Sequence, residues 1–181
     1  NNNKFVNNAE IILEKGTNRI KFSKGLINKY SWVGKGSSYV LSDILASFLY
    51  SQLIESKLIQ DKRKFIWNYY NKNLKHWSNK NNILLPHIPI HCKQSYHMYY
   101  ILLPNKKNRD LLISFLSKKG IQAIFHYLPL NLSKVINKKN INNCPVSKNI
   151  SERIIRIPFF NKIKKNELNY ILEQITKFKV I

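Results

Sequence analysis

Cysteine is scarce: 181 residues hold two, Cys92 and Cys144, far apart and without CxxC spacing. That argues against a disulfide scaffold or a Cys-rich zinc module. It fits a reducing compartment, so a cytoplasmic location is expected. Acidic residues are scarce as well, 9 Asp and Glu against 31 Lys and Arg, which leaves a formal net charge of +22. No apolar run approaches the roughly 18 residues that a membrane span needs, so no membrane partner is expected. No signal-peptide pattern is visible, and the chain opens on Asn1 without an initiator Met. What is present is ordinary for a globular protein: 44% hydrophobic and 12% aromatic residues, which excludes wholesale disorder.

The basic excess points first at nucleic acid. Its make-up points elsewhere. There are 26 Lys but only 5 Arg, alongside 24 Asn and 25 Ile. Lys, Asn and Ile share A/T-rich codons, so an AT-biased genome would give this composition to any gene. The charge also runs almost evenly along the chain, whereas nucleic-acid readers gather it in a stripe and favour the Arg fork. No RNP, KH, zinc-finger or helix-turn-helix pattern is present. The lysines are therefore read as solvated surface, with no nucleic-acid partner; a basic nucleic-acid binder is the remote alternative.

Along the chain, residues 9–15 read as the last turns of a helix stopped by Gly16. Residues 17–37 mix glycine and aromatics in a long structured loop, and such loops are often functional. A helix starts at Ser42, and a second helical pattern covers 58–77. Asn79–Asn82, Pro86 and Pro89 mark a linker. Strands are expected at 96–103, 121–127 and 154–157. Helices are expected at 109–119 and 164–177, and an exposed loop at 131–150. The fold class is α/β: helices followed by a small α/β domain with a short sheet. Residues 1–95 have no sheet of their own to pack against, and 96–181 carry a plausible core, so the domain boundary is placed between them.

Six segments then fall in order: Lys15-Gly16-Thr17-Asn18-Arg19, Tyr30-Ser31-Trp32, and Gly36-Ser37-Ser38-Tyr39 with Ser42-Asp43. After these come His97-Met98-Tyr99-Tyr100, Phe125-His126-Tyr127-Leu128-Pro129-Leu130, and Arg156-Ile157-Pro158-Phe159-Phe160. Together they resemble the C-terminal half of the nucleotide-sugar aminotransferases, which are pyridoxal 5'-phosphate (PLP) enzymes of the aspartate-aminotransferase fold. The first and third segments most resemble the branch that makes dTDP-4-amino-4,6-dideoxygalactose for enterobacterial common antigen. The resemblance implies transamination of TDP-4-oxo-6-deoxy-D-glucose with glutamate as donor. It also implies a homodimer with shared active sites. In this family the PLP-binding Schiff-base lysine lies in a segment before the position of Ala9. No catalytic residue is therefore assigned, and the chain is expected to be a truncated or partial product, inactive alone. A noncatalytic half that binds a separate N-terminal partner is the alternative.

The resemblance assigns cofactor contacts to Gly36 and Ser38, in a loop that reaches the partner's PLP phosphate. Most family members have Asn where Ser38 stands. Ser42 is read as a helix cap. Arg19, with Asn18 and, at lower weight, Lys15 beside it, is expected to grip the diphosphate of the sugar nucleotide. The alternative for Arg19 is a surface or interface ion pair. His126 and Tyr127 are expected at the substrate, or else as a paired core turn. His97 is assigned to substrate, with a satisfied core histidine as its alternative. Many family members have His where Asn131 stands, a departure that puts any acid–base or binding role at this position in doubt. His76, His87 and His91 lack ligand spacing, and no metal site is expected.

Overall fold

A computed structural model describes residues 2–133 and 144–181. The chain divides into two compact units, Asn1–Glu55 and Ser56–Ile181.

The first unit holds α1 (Val6–Leu13), the short α2 (Arg19–Ser23) and α3 (Asp43–Ile54). Ser42 caps α3, as expected: its Oγ accepts from Leu45 N–H at 3.4 Å. Between α1 and α3 the backbone folds back on itself through glycine. Gly16 sits at φ +83°, and a Cβ there would stand 2.1 Å from the Gly34 carbonyl oxygen. A Cβ on Gly36 would stand 2.2 Å from Gly16 N. Only glycine permits so close an approach at either place. The Gly16 carbonyl accepts from both Val33 and Gly34 N–H, while Ser37 N–H and Tyr39 N–H donate to Ile12 and Leu13 carbonyls at the end of α1. These bonds satisfy carbonyls that a helix end otherwise leaves unpaired.

The second unit is built around α4 (Ser56–Lys80), a 25-residue helix. Ile66, Tyr70, Leu74 and Trp77 form its buried stripe, at the three- and four-residue spacing of one helix face. The sheet contains β1 (Tyr99–Leu102), β2 (Ile124–Phe125) and β3 (Ile154–Ile157) in the order β1-β3-β2, all antiparallel. Tyr99 pairs with Ile157 and Ile101 with Ile155, and these four side chains face the core. The helices α5 (Lys106–Ser117) and α7 (Lys165–Lys177) complete it with Leu112, Leu116, Leu168 and Ile175. The Tyr70 hydroxyl donates to the Pro158 carbonyl at 2.8 Å, and the Tyr99 hydroxyl to Asn71 Oδ1 at 3.0 Å. Burial pushes both phenols well above the ordinary tyrosine range.

The helix-then-small-sheet architecture is the expected one. Several details differ. The packing groups α4 with the sheet, not with the residues before it, because its apolar stripe belongs to the same core as β1 and β3. The strands expected at 96–103 and 121–127 are shorter. Tyr96 and Tyr127 lie at φ +48° and +47°, left-handed backbone that a strand does not accommodate. Within the expected linker, Leu84 exchanges two backbone hydrogen bonds with Leu102 and extends the sheet edge. The expected loop at 131–150 contains α6 (Pro145–Arg153), opened by Pro145, whose fixed φ suits a first helical turn. The rest of that stretch, 134–143, lies outside the described residues.

Candidate functional site

In the first unit the expected residues gather on the glycine-locked loop. Asn18 is a clip within it: Oδ1 accepts from Ser31 N–H at 2.8 Å, and its own N–H donates to the Ser31 carbonyl. Thr17 is buried, with its hydroxyl donating to the Glu14 carbonyl at 2.8 Å and accepting from Arg19 N–H. Arg19 is exposed, and its guanidinium carbon lies 5.9 Å from the Tyr30 ring centroid. A planar cation on an aromatic face keeps its N–H edges free for a second group. Ser38 bridges Glu14 through the backbone, and its hydroxyl has no partner among the described residues. Gly36, expected at a phosphate, lies close against Gly16 N and the Ile12 carbonyl, so its bare Cα serves the packing of the loop's own backbone.

In the second unit three side chains, Arg156, His126 and Tyr127, meet on the face of the sheet away from the core. Arg156 on β3 pairs in register with Tyr100 and with Ile124. Two residues beyond Ile124, alternation brings His126 to the same face. The Tyr127 ring centroid lies 4.6 Å from that of His126 and 5.4 Å from the Arg156 guanidinium carbon. His126 Nδ1 and Arg156 Nε are shielded from solvent and have no hydrogen-bond partner among the described residues. Burial, then the positive charges of Arg156 and His97, holds the His126 imidazole below its usual 6.5. His97 is not the core histidine that was its alternative: it is exposed, with Nδ1 2.9 Å from Ser95 Oγ. His97 and Arg156 also line a cleft of ≈ 780 Å³ with Phe159, Phe160, Ile163 and Tyr170. Arg156 is the residue that sequence reasoning passed over. It stood inside a recognised segment, but only the strand register shows that it faces His126 and Tyr127. Asn131 lies among the described residues in a short 3₁₀ turn, Leu130–Leu132, outside this group. Among the described residues no cluster of ligating side chains could hold a metal. No helix among them is long and apolar enough to cross a membrane.

The order of elements is that of the C-terminal part of the PLP-dependent sugar-aminotransferase fold. The chain belongs to the DegT/DnrJ/EryC1/StrS aminotransferase family, whose pattern matches residues 1–176. It is 26% identical over 154 residues to the protein MJ1066 of Methanocaldococcus jannaschii, covering 82% of this chain and 39% of that one. It is 21% identical over 155 residues to the dTDP-3-amino-3,6-dideoxy-alpha-D-galactopyranose transaminase of Aneurinibacillus thermoaerophilus, covering 85% and 41%. The chain thus spans about two-fifths of the length of these relatives. Among solved structures it resembles PseC of Helicobacter pylori, an aminotransferase involved in the biosynthesis of pseudoaminic acid. That likeness has a TM-score of 0.82 at 19% identity, covering 98% of this chain and 46% of that chain. It also resembles the PMP-form of the putative sugar aminotransferase Spr1654 of Streptococcus pneumoniae. There the TM-score is 0.77 at 23% identity, covering 97% and 45%.

Proposed function

We propose that the protein transfers the amino group of glutamate to C4 of TDP-4-oxo-6-deoxy-D-glucose, giving dTDP-4-amino-4,6-dideoxygalactose for a surface polysaccharide such as enterobacterial common antigen. The observation that carries this reading is the meeting of His126, Tyr127 and Arg156 on one sheet face of a chain matched to the sugar-aminotransferase family over residues 1–176. The narrower choice of sugar is supported by the Lys15–Arg19 and Gly36–Tyr39 segments. In this reading the protein is a cytoplasmic homodimer with shared sites and needs neither nucleic acid nor a membrane.

The residues present suit PLP at one point. Ser38 offers an unpartnered, exposed hydroxyl on backbone anchored to the end of α1, and it would donate to the cofactor phosphate of the partner subunit. Gly36 serves that contact by letting the backbone lie close to Gly16. Bound PLP supplies an electron sink for ionisation of the substrate C–H bond. Arg19, propped on Tyr30, presents its fork to the diphosphate of the sugar nucleotide. Asn18 holds that loop closed through Ser31. Tyr127 donates its hydroxyl to the sugar, and His126 orients it from the neighbouring position. His97, held by Ser95, borders the cleft that admits the substrate.

The test is incubation of this chain, joined to or co-expressed with a lysine-bearing N-terminal half of the family, with PLP, glutamate and TDP-4-oxo-6-deoxyglucose, with NMR of the nucleotide sugar. A C4 amine is expected. Amination of the 3-oxo isomer alone would move the assignment to the 3-amino branch. No amine from either sugar would overturn the reading.

A further inference from the structure

We propose that Arg156 and His126 form an oxyanion subsite that accepts a carboxylate or phosphate group against the outer face of the sheet. The first support is position. Arg156 is a half-buried cation in the middle strand, and His126 faces it from the end of β2. Tyr127 closes one side, its ring tilted against His126 and under the Arg156 guanidinium. The second support is unmet bonding capacity. Arg156 Nε and His126 Nδ1 are both shielded, and neither has a partner among the described residues. A shielded polar nitrogen without a partner is destabilising, and a hydrogen-bonding ligand relieves that cost. The third support is backbone strain. Tyr127, next to His126, and Tyr96, next to His97, are two of only four non-glycine residues with positive φ among those described. Bulky residues take that conformation at a cost, and such outliers cluster at ligand-binding sites.

The charge balance selects the ligand. The charged groups acting on His126 are Arg156 from β3 and His97 from the segment before β1, both of which repel a proton there. Tyr100 on β1 stands across the register from Arg156. Two cationic or potentially cationic groups facing each other repel until an anion lies between them. An oxyanion takes the Arg156 N–H as a charge-assisted bond and favours protonation of His126 as a second donor. A neutral sugar hydroxyl offers no such compensation.

The inference rests on the aminotransferase reading only for its two candidate anions, the carboxylate of the amino donor and the phosphate of the sugar nucleotide. Binding, not turnover, therefore tests it. The His126 ring resonances of the whole chain are followed by NMR against pH, alone and with 2-oxoglutarate or inorganic pyrophosphate. The His126 titration midpoint is expected to rise with one of the two anions, and the effective one identifies the group bound. Arg156→Gln should weaken that anion about tenfold, the loss of one charge-assisted contact. Arg156→Lys, which keeps the charge without the fork, should fall between and covers the case in which Arg156→Gln does not fold. Lys118→Gln, an exposed cation on another element, should bind as the parent does. A midpoint unmoved by both anions overturns the subsite. So does equal binding by the parent and the folded Arg156 variants, which would mark diffuse attraction to a +22 surface. A subsite confirmed without any amine product would leave this inference standing and remove the proposed reaction.

Discussion

His126 shows how one side chain couples to the whole by charge. Its imidazole is held below 6.5, so the folded chain favours the neutral ring and the unfolded chain binds the proton more readily. Its contribution to stability is therefore present above 6.5 and is lost as pH falls through the depressed folded value. Between pH 7.5 and 5.5 the parent should lose more thermal stability than His126→Gln, which has no such proton to take up. Equal losses would show that neither burial nor the neighbouring charge of Arg156 disfavours the protonated ring. Asn108 acts by bonding instead. It is fully buried, donating Nδ2–H to the Ile181 carbonyl at 2.6 Å while Oδ1 accepts from Ile181 N–H at 2.9 Å. Asn108→Ala should cost about 1–3 kcal/mol in urea unfolding, because two backbone groups lose their partners at once. A change below the error of the fit would mean water replaces the amide without penalty.

At the scale of elements, the loop between α1 and α3 is held by backbone contacts that only glycine allows. Gly16→Ala adds a methyl 2.1 Å from the Gly34 carbonyl oxygen at a positive φ. It should destabilise this segment by more than about 1 kcal/mol. Hydrogen exchange at Val33, Gly34 and Ser37 should accelerate, while α4 stays unchanged. Unchanged exchange at those three amides would show that the segment has another way to close. The α3 helix differs in kind. Ile44, Phe48, Leu53 and Ile54 are exposed by 81%, 67%, 59% and 63%, on several sides of one helix. A helix with apolar side chains on several sides has the pattern of an interior element, yet no α3 residue is buried in this chain.

For the molecule as a whole, apolar burial is concentrated in the second unit. Every buried hydrophobic residue among those described lies between Ile66 and Ile175. In the first unit the buried positions are Gly16 and Thr17, both in the glycine turn. Exchange of the 181-residue chain should therefore protect the α4–sheet–α7 core most strongly and leave α3 fast. Strong protection of α3 that disappears on dilution would instead show association through it. The charge follows the same division: residues 1–55 hold 7 Lys and Arg against 4 Asp and Glu, and residues 56–181 hold 24 against 5. Quarter-by-quarter the excess looks uniform, but on the structural units it belongs mostly to the sheet-bearing one.

Sequence alone determined the ordered segments, the Ser42 cap, the apolar stripe of α4 and the approximate place of each strand. Those are local properties: helical spacing, a side-chain oxygen three residues before an N–H, and β-branched runs act within a few residues of chain. Tertiary structure decided the rest. The shortened strands depend on left-handed backbone at Tyr96 and Tyr127, which no residue type there announces. The use of Gly36 against Gly16 depends on two loops meeting. Arg156 became a candidate only through the pairing of β3 with β2, because a register is a contact between distant residues and has no local signature.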